Sequence, residues 1–249
     1  MDWELAHALR VCCEVTRDRV GAYVAELDGA RLVLAHCGMG MVGAAAGASA
    51  VIVRYAPGAV LNYGCAGAHR LELLPGDIVV GSRLVAYDNV RESPSGEVRY
   101  SGMPYLVEGQ QRRIDAIEAD AELLEAARGL AESPVEIWPA ELGWPLGVEH
   151  RAPRVVFGTV ASADRWNRAP STIARLVEVH DSMCEDMEAA AIGLVCAMHS
   201  VPFLTVKDIS NNELLRATAG GQAMVEELGA DQLARRAAAF TLAVVRALV

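Results

Sequence analysis

A chain of 249 residues that is 53% hydrophobic has enough material for a sizeable core and suits one domain spanning 1–249. Its formal charge of −10, with no basic run, argues against nucleic acid as the main partner. No apolar run reaches the roughly 18 residues a membrane span needs, and the opening MDWELAHALR carries acids rather than an apolar signal segment, so a cytoplasmic protein with no membrane partner is expected.

Residues 4–17 read as a short helix. Tyr23 to Leu27 and Arg31 to His36 read as two strands around Asp28-Gly29, a strong hairpin signal. Gly38-Met39-Gly40 leads into an Ala-rich helix from Val42 to Tyr55. Ala59 to Tyr63 is a buried strand that ends in Gly64-Cys65-Ala66-Gly67, and a further strand runs from Asp77 to Gly81 and on through Leu84 to Tyr87. Residues 88–118 read mostly as loop, and Ala119 to Ala131 as helix. Four prolines (Pro134, Pro139, Pro145 and Pro153) predict irregular structure over 133–153. Val155 to Val160 is a strand, Ser171 to Val179 a helix, Met187 to Met198 a helix and Pro202 to Ile209 a strand. A helix from about Ala230 to Leu248 closes the chain. Strands alternating with helices predict an α/β fold: a mixed, mostly parallel sheet covered by helices on both faces.

In open α/β sheets ligands bind at the carboxyl ends of the strands, and two such ends are polar here. Glu185, Asp186 and Glu188 open the helix before Val201. As first-turn charges they favour the helix dipole, but Glu188 is followed at once by apolar residues and is expected to be partly buried. A buried carboxylate needs partners, and sugar hydroxyls are good ones. Ser210, Asn211, Asn212 and Glu213 end the last strand, where they are either loop chemistry or a second part of the site. Lys207 and Asp208 interrupt that strand and are expected to pair with their surroundings. Gly38-Met39-Gly40 offers either a tight turn or amides for an anion or a sugar hydroxyl. Gly64-Cys65-Ala66-Gly67 offers either crowded packing or close approach of a ligand to the backbone. The six cysteines and six histidines show no zinc spacing, so no metal and no disulfide framework are expected.

DMEAAAIGLVCAMHSVPFLTVKDISN, together with GMGMVGAAAG and LNYGCAGAHRLELLPGDIVV, resembles the nucleoside phosphorylase/nucleosidase superfamily, from about Leu27 to Asn211. The branch it is most similar to is that of the methylthioadenosine/adenosylhomocysteine nucleosidases, with futalosine hydrolases beside it. The resemblance implies a homodimer that binds a nucleoside and water and needs no cofactor. It implies that Met187 packs on the ribose, that Glu188 accepts hydrogen bonds from ribose hydroxyls, and that Cys65, Ala66, Gly67 and Ser210 line the site. Ser162, Arg165 and Trp166 fall where the base-contacting loop would be; Trp166 reads equally as a core residue. Phosphorylases of the superfamily have an arginine before the small-residue block and an early Gly-Asp-Pro-x-Arg loop. Neither is present, which favours hydrolysis. Asn211 stands where nucleosidases for 6-aminopurines have an Asp that protonates the leaving base. An amide donates and accepts but transfers no proton, so either the base is a 6-oxopurine or Asp208 or Glu213 supplies the acid. Met1-Asp2-Trp3-Glu4 falls on the end of the family's first motif and makes Glu4 the candidate for the water-activating base, as against a solvated first-turn residue. Two other readings remain: a phosphate-dependent phosphorylase, and an inactive nucleoside-binding protein.

Overall fold

The computed structural model describes residues 2–18, 21–142, 144–145, 147–218 and 232–249, without the side chains of residues 2–4, 217 and 218. The first helix, α1 (Asp2–Val11), is shorter than the expected 4–17, because β1 (Cys13–Arg17) follows as a strand. Val15 and Thr16 are β-branched and suit that edge position, where β1 pairs antiparallel with β2 (Tyr23–Leu27). β2 and β3 (Ala30–Leu34) form the expected hairpin. Asp28 and Gly29 both take positive φ, as a two-residue turn between twisted strands requires. These three strands form a sheet of their own.

α2 (Met41–Tyr55) buries Ala44, Ala48 and Ile52, spaced four apart on one face. β4 (Val60–Ala68) runs straight through the small-residue block rather than stopping before it, and β5 (Ile78–Ala86) follows. The segment expected as loop carries two hairpins, β6 (Val90–Glu92) with β7 (Val98–Tyr100) and β8 (Met103–Val107) with β9 (Gln110–Ile114), and then β10 (Ile117–Glu118). These strands are short and mostly exposed, and their apolar residues do not alternate with polar ones, as Met103–Val107 and Gln110–Ile114 show, so no period-2 pattern announces them. α3 (Ala121–Gly129) starts on Asp120, whose side chain accepts from the amides of Glu122 and Leu123. The described residues of 133–153 hold no regular element, as the prolines predict.

The remaining elements are β11 (Val155–Ser162), α4 (Pro170–His180), β12 (Ser182–Asp186), α5 (Ala189–His199), β13 (Phe203–Asn211), α6 (Glu213–Thr218) and α7 (Arg235–Ala247). β5–β11, β11–β12 and β4–β13 pair parallel, whereas β12–β4 is antiparallel. β13 also pairs antiparallel with β5, so the mixed sheet closes into a five-strand barrel, with β10 added outside β5. Helices cover it on two sides. α2 and α5 pack on one apolar cluster with Val79, Ile192 and Phe203; α3 and α7 pack on another with Ile78, Val80 and Phe240. Val79 faces away from its neighbours Ile78 and Val80, as the pleat requires.

Candidate active site

The ends of β4, β12 and β13 meet at one edge of the barrel. Gly67 on β4 is in register with Glu185 on β12 and with Asn211 on β13. Glu185 and Asp186 therefore close a strand and do not open a helix as expected; α5 begins only at Ala189, with Glu188 as its capping residue.

That difference decides what Glu188 is free to do. A helix start has amides without intrahelical partners. Here Asp186 Oδ2 accepts from the amide of Ala189 at 3.0 Å, and Ser162 Oγ accepts from that of Ala190 at 2.9 Å. Ser162 in turn donates to Asp186 Oδ1, and Lys207 Nζ lies 2.8 Å from Asp186 Oδ2, with both side chains buried. The Glu188 side chain makes no bond to its own helix. Instead its Oε1 accepts from the Gly40 amide at 3.0 Å and its Oε2 from the Met187 amide at 3.2 Å. Burial pushes the Glu188 carboxyl above its usual range, against the pull of Lys207 and the two amides.

The Gly38-Met39-Gly40 turn thus faces β12. Gly40 has a φ of 90°, and a side chain there would strike Asp164. Asp164 Oδ1 accepts from the Met41 amide at 2.6 Å and ties the loop after β11 to the same turn. On that loop Trp166 is 64% exposed, which removes the reading as a core residue. Arg165 is exposed as well. Ser162 is fully buried and consumed by Asp186 and the start of α5, so its hydroxyl faces no ligand.

Asn211 is held at both ends of its amide. Ser210 Oγ donates to its Oδ1 at 2.8 Å, and its Nδ2 donates to Glu213 Oε1 at 3.2 Å. Ser210 also reaches the Ala66 carbonyl at 3.3 Å. Cys65 is half-buried, and Met187 is half-buried beside Glu188. Asp208, one of the two alternative acids, belongs elsewhere: its oxygens accept from the amides of Ala234 and Arg236 at the start of α7. The side chain of Glu4 lies outside the described residues.

Sequence reasoning did not assemble the buried cluster behind Glu185. Its Oε1 accepts from the Asn167 amide at 2.8 Å; its Oε2 accepts from Asn167 Nδ2 at 2.6 Å and from Tyr87 at 3.1 Å. His69 Nε2 stands 3.4 Å from Oε2, an electrostatic contact without good hydrogen-bond geometry. Ser182 Oγ is 2.8 Å from His69 Nδ1. Burial acts to raise the Glu185 carboxyl, but His69 and Asn167 outweigh it and hold the group below its usual range. The available signal was Asn167, which directly follows the predicted base-contacting residue Trp166. Among the described residues no group of His, Cys, Asp and Glu is arranged to hold a metal, and no helix is long and apolar enough to cross a membrane.

Residues 3–246 match the family model of the Phosphorylase superfamily. A 5′-methylthioadenosine/S-adenosylhomocysteine nucleosidase of Anoxybacillus flavithermus is 28% identical over 80% of this chain and 75% of its own. The corresponding nucleosidase of Neisseria meningitidis, solved with methylthio-immucillin-A, superposes with a TM-score of 0.71 at 26% identity, covering 100% of this chain and 94% of that one. The futalosine hydrolase of Helicobacter pylori shares the fold, with a TM-score of 0.69 at 20% identity over 99% and 94% of the two chains.

Proposed function

Because the chain belongs to the Phosphorylase superfamily, we propose that it is a purine nucleosidase. It hydrolyses the N-glycosidic bond of a 5′-modified purine nucleoside of the methylthioadenosine/adenosylhomocysteine or futalosine type. The observation that carries this reading is the release of Glu188 from helix capping. With Asp186 and Ser162 serving α5, the Glu188 carboxylate is left half-buried beside the Gly40 amide, where it accepts ribose hydroxyls. Met187 packs against the sugar.

Bond cleavage builds positive charge on the ribose and negative charge on the base, and both need groups set in place beforehand. Glu188 is the anion nearest the sugar. Asn211, fixed by Ser210 and Glu213, donates to the leaving base. Trp166 offers an exposed ring at the rim of the base loop. Glu4 is the proposed water-activating base. Arg70, the arginine nearest the small-residue block, is committed to Asp181 and the Ser182 carbonyl. That leaves water, rather than a phosphate dianion, as the acceptor of the ribosyl group. The proposal includes a cytoplasmic homodimer; none of the six cysteines is in a disulfide, as a reducing compartment allows.

The test is base release from methylthioadenosine, adenosylhomocysteine, inosine and futalosine, each with and without phosphate. Release without phosphate is expected. Release that depends on phosphate would make the protein a phosphorylase, and binding without release would make it a nucleoside-binding protein.

A further inference from the structure

Asn211 follows an irregular step in the β4–β13 ladder. Ile209 is in register with Ala66 and Asn211 with Gly67, so β13 uses one residue more than β4 between the two pairs. Ser210 is the extra residue, as in a β-bulge. In a regular strand residues two apart share a face, and Asn211 would follow Ile209 toward the apolar cluster that α2 and α5 cover. The bulge frees it from that face. A bulge also leaves its extra residue outside the ladder, so the chain on either side must be fixed by other contacts.

The turn between β4 and β5 holds both sides. Before the bulge, the Ile209 amide donates to the Asp77 carbonyl and the Gly76 amide donates to the Ile209 carbonyl, each at 2.8 Å. After it, Asn212 Nδ2 donates to the carbonyls of Arg70 and Leu73, both at 2.8 Å. Asn212 Oδ1 accepts from the amides of Leu214 and Leu215, which starts α6 and sets Glu213 against the Asn211 amide. The turn is in turn shaped by the buried side chain of Asp77. Its Oδ2 accepts from the Leu74 amide and its Oδ1 from the Arg154 amide, each at 2.8 Å. Arg151 adds a bond to each oxygen: Nη1 donates to Oδ1 and Nη2 to Oδ2, both at 2.6 Å. The same guanidinium reaches the Glu72 carbonyl at 3.1 Å. Arg151 comes from the proline-rich segment before β11, far in sequence from the strand end it steadies.

We propose that Arg151 is a positioning residue: through Asp77 it holds the turn that fixes the bulge at Ser210, and with it the direction of the Asn211 amide. The inference rests on the nucleosidase reading, in which Asn211 donates to the leaving base. The guanidinium contributes in two ways. Its charge balances a buried carboxylate, which is costly to leave alone. Its planar fork orients both carboxylate oxygens at once. Without it Asp77 carries an unbalanced charge and turns toward water, and its backbone draws the Ile209 amide along. A donor moved off its line loses its effect on the reacting atom. The sugar side of the site is built on α5 and the Gly40 amide instead, and stays in place.

The experiment compares Arg151→Gln with wild type, both as the full chain and at a temperature where circular dichroism shows them fully folded. It reads kcat and KM for the nucleoside that wild type hydrolyses fastest, and amide hydrogen exchange over 209–215 and over α5. We expect kcat to fall about 10- to 100-fold, the scale for a reacting group misplaced by about 1 Å. KM should stay within about threefold, because Asn211 acts in the transition state. Exchange should quicken over 209–215 and not in α5. Arg151→Lys keeps the charge but not the fork. It serves if Arg151→Gln does not fold, with kcat expected to fall at least about threefold. Wild-type kcat in the folded variant, a raised KM at unchanged kcat, or unchanged exchange over 209–215 each overturns the proposal. A wild type that hydrolyses no nucleoside would sink the nucleosidase reading alone, and the exchange comparison would still decide whether Arg151 holds the bulge.

Discussion

Glu188 is a carboxylate whose protonation and task are coupled. In the role proposed for it, it accepts ribose hydroxyls most strongly when ionised, and burial has already raised its carboxyl above the ordinary 4.5. As pH falls through that raised value, the proton arrives before it would on an exposed glutamate, and hydroxyl binding is lost. The acid limb of kcat/KM, which reports the free enzyme, is therefore expected above pH 4.5. Glu188→Gln keeps the shape but only one of the two amide contacts, since its NH2 accepts no hydrogen bond, and it loses the charge. We expect kcat/KM to drop at least about 100-fold, two charged hydrogen bonds being at stake, with the thermal melt lowered by no more than about 4 °C, because α5 is capped by other residues. Near wild-type turnover would remove Glu188 from the site.

Capping also separates the readable from the unreadable among the elements. The hairpin at Asp28-Gly29, the Ala-rich α2 and the apolar β5, β11 and β13 follow from turn chemistry and hydrophobic pattern, and the sequence announces them. Pattern could not show that β12 is a strand ending in acids, since Glu185 and Asp186 look like favourable first-turn charges. Only the tertiary pairing with β4 and β11 makes them a strand end. The small-residue block, Glu188 and Asn211 enter the proposed site through their resemblance to a known family; the His69–Tyr87–Asn167–Glu185 cluster had no such signal, because its members are up to 116 residues apart (His69 to Glu185) and none forms a local motif. Asp208 shows the same limit. At sequence level it is a candidate acid at the end of a strand; in the fold it is buried under α7, with its carboxyl pushed by burial to about 7. Asp208→Asn tests which role holds. Asparagine still accepts from one amide, so turnover should stay within about twofold while stability falls by about 1 kcal/mol, the scale of a cap. A large loss of kcat with an unchanged melt would instead make Asp208 the proton donor.

At the scale of the whole molecule the barrel closure aligns Glu185, Gly67 and Asn211. β13 lies between β4 and β5, and Thr205 on it faces Gly81 across the closing seam. The seam has no spare volume: a methyl group on Gly81 would sit 2.3 Å from Thr205 Cγ2 and 3.0 Å from Val160 Cγ2. Thr205 cannot turn aside without cost, because its hydroxyl donates to Asn62 Oδ1 at 2.8 Å on β4. Gly81→Ala must therefore move β13 or break that bond. Overpacking of this kind costs about 1–3 kcal/mol. The urea midpoint should fall with the slope m unchanged, since the surface exposed on unfolding is nearly the same. Moving β13 also carries Asn211 out of register with Gly67, so kcat/KM should fall under conditions where the variant is still fully folded. A midpoint equal to wild type would show that the seam yields freely. A lower midpoint with full activity would show that the strand ends hold their alignment independently of the closure.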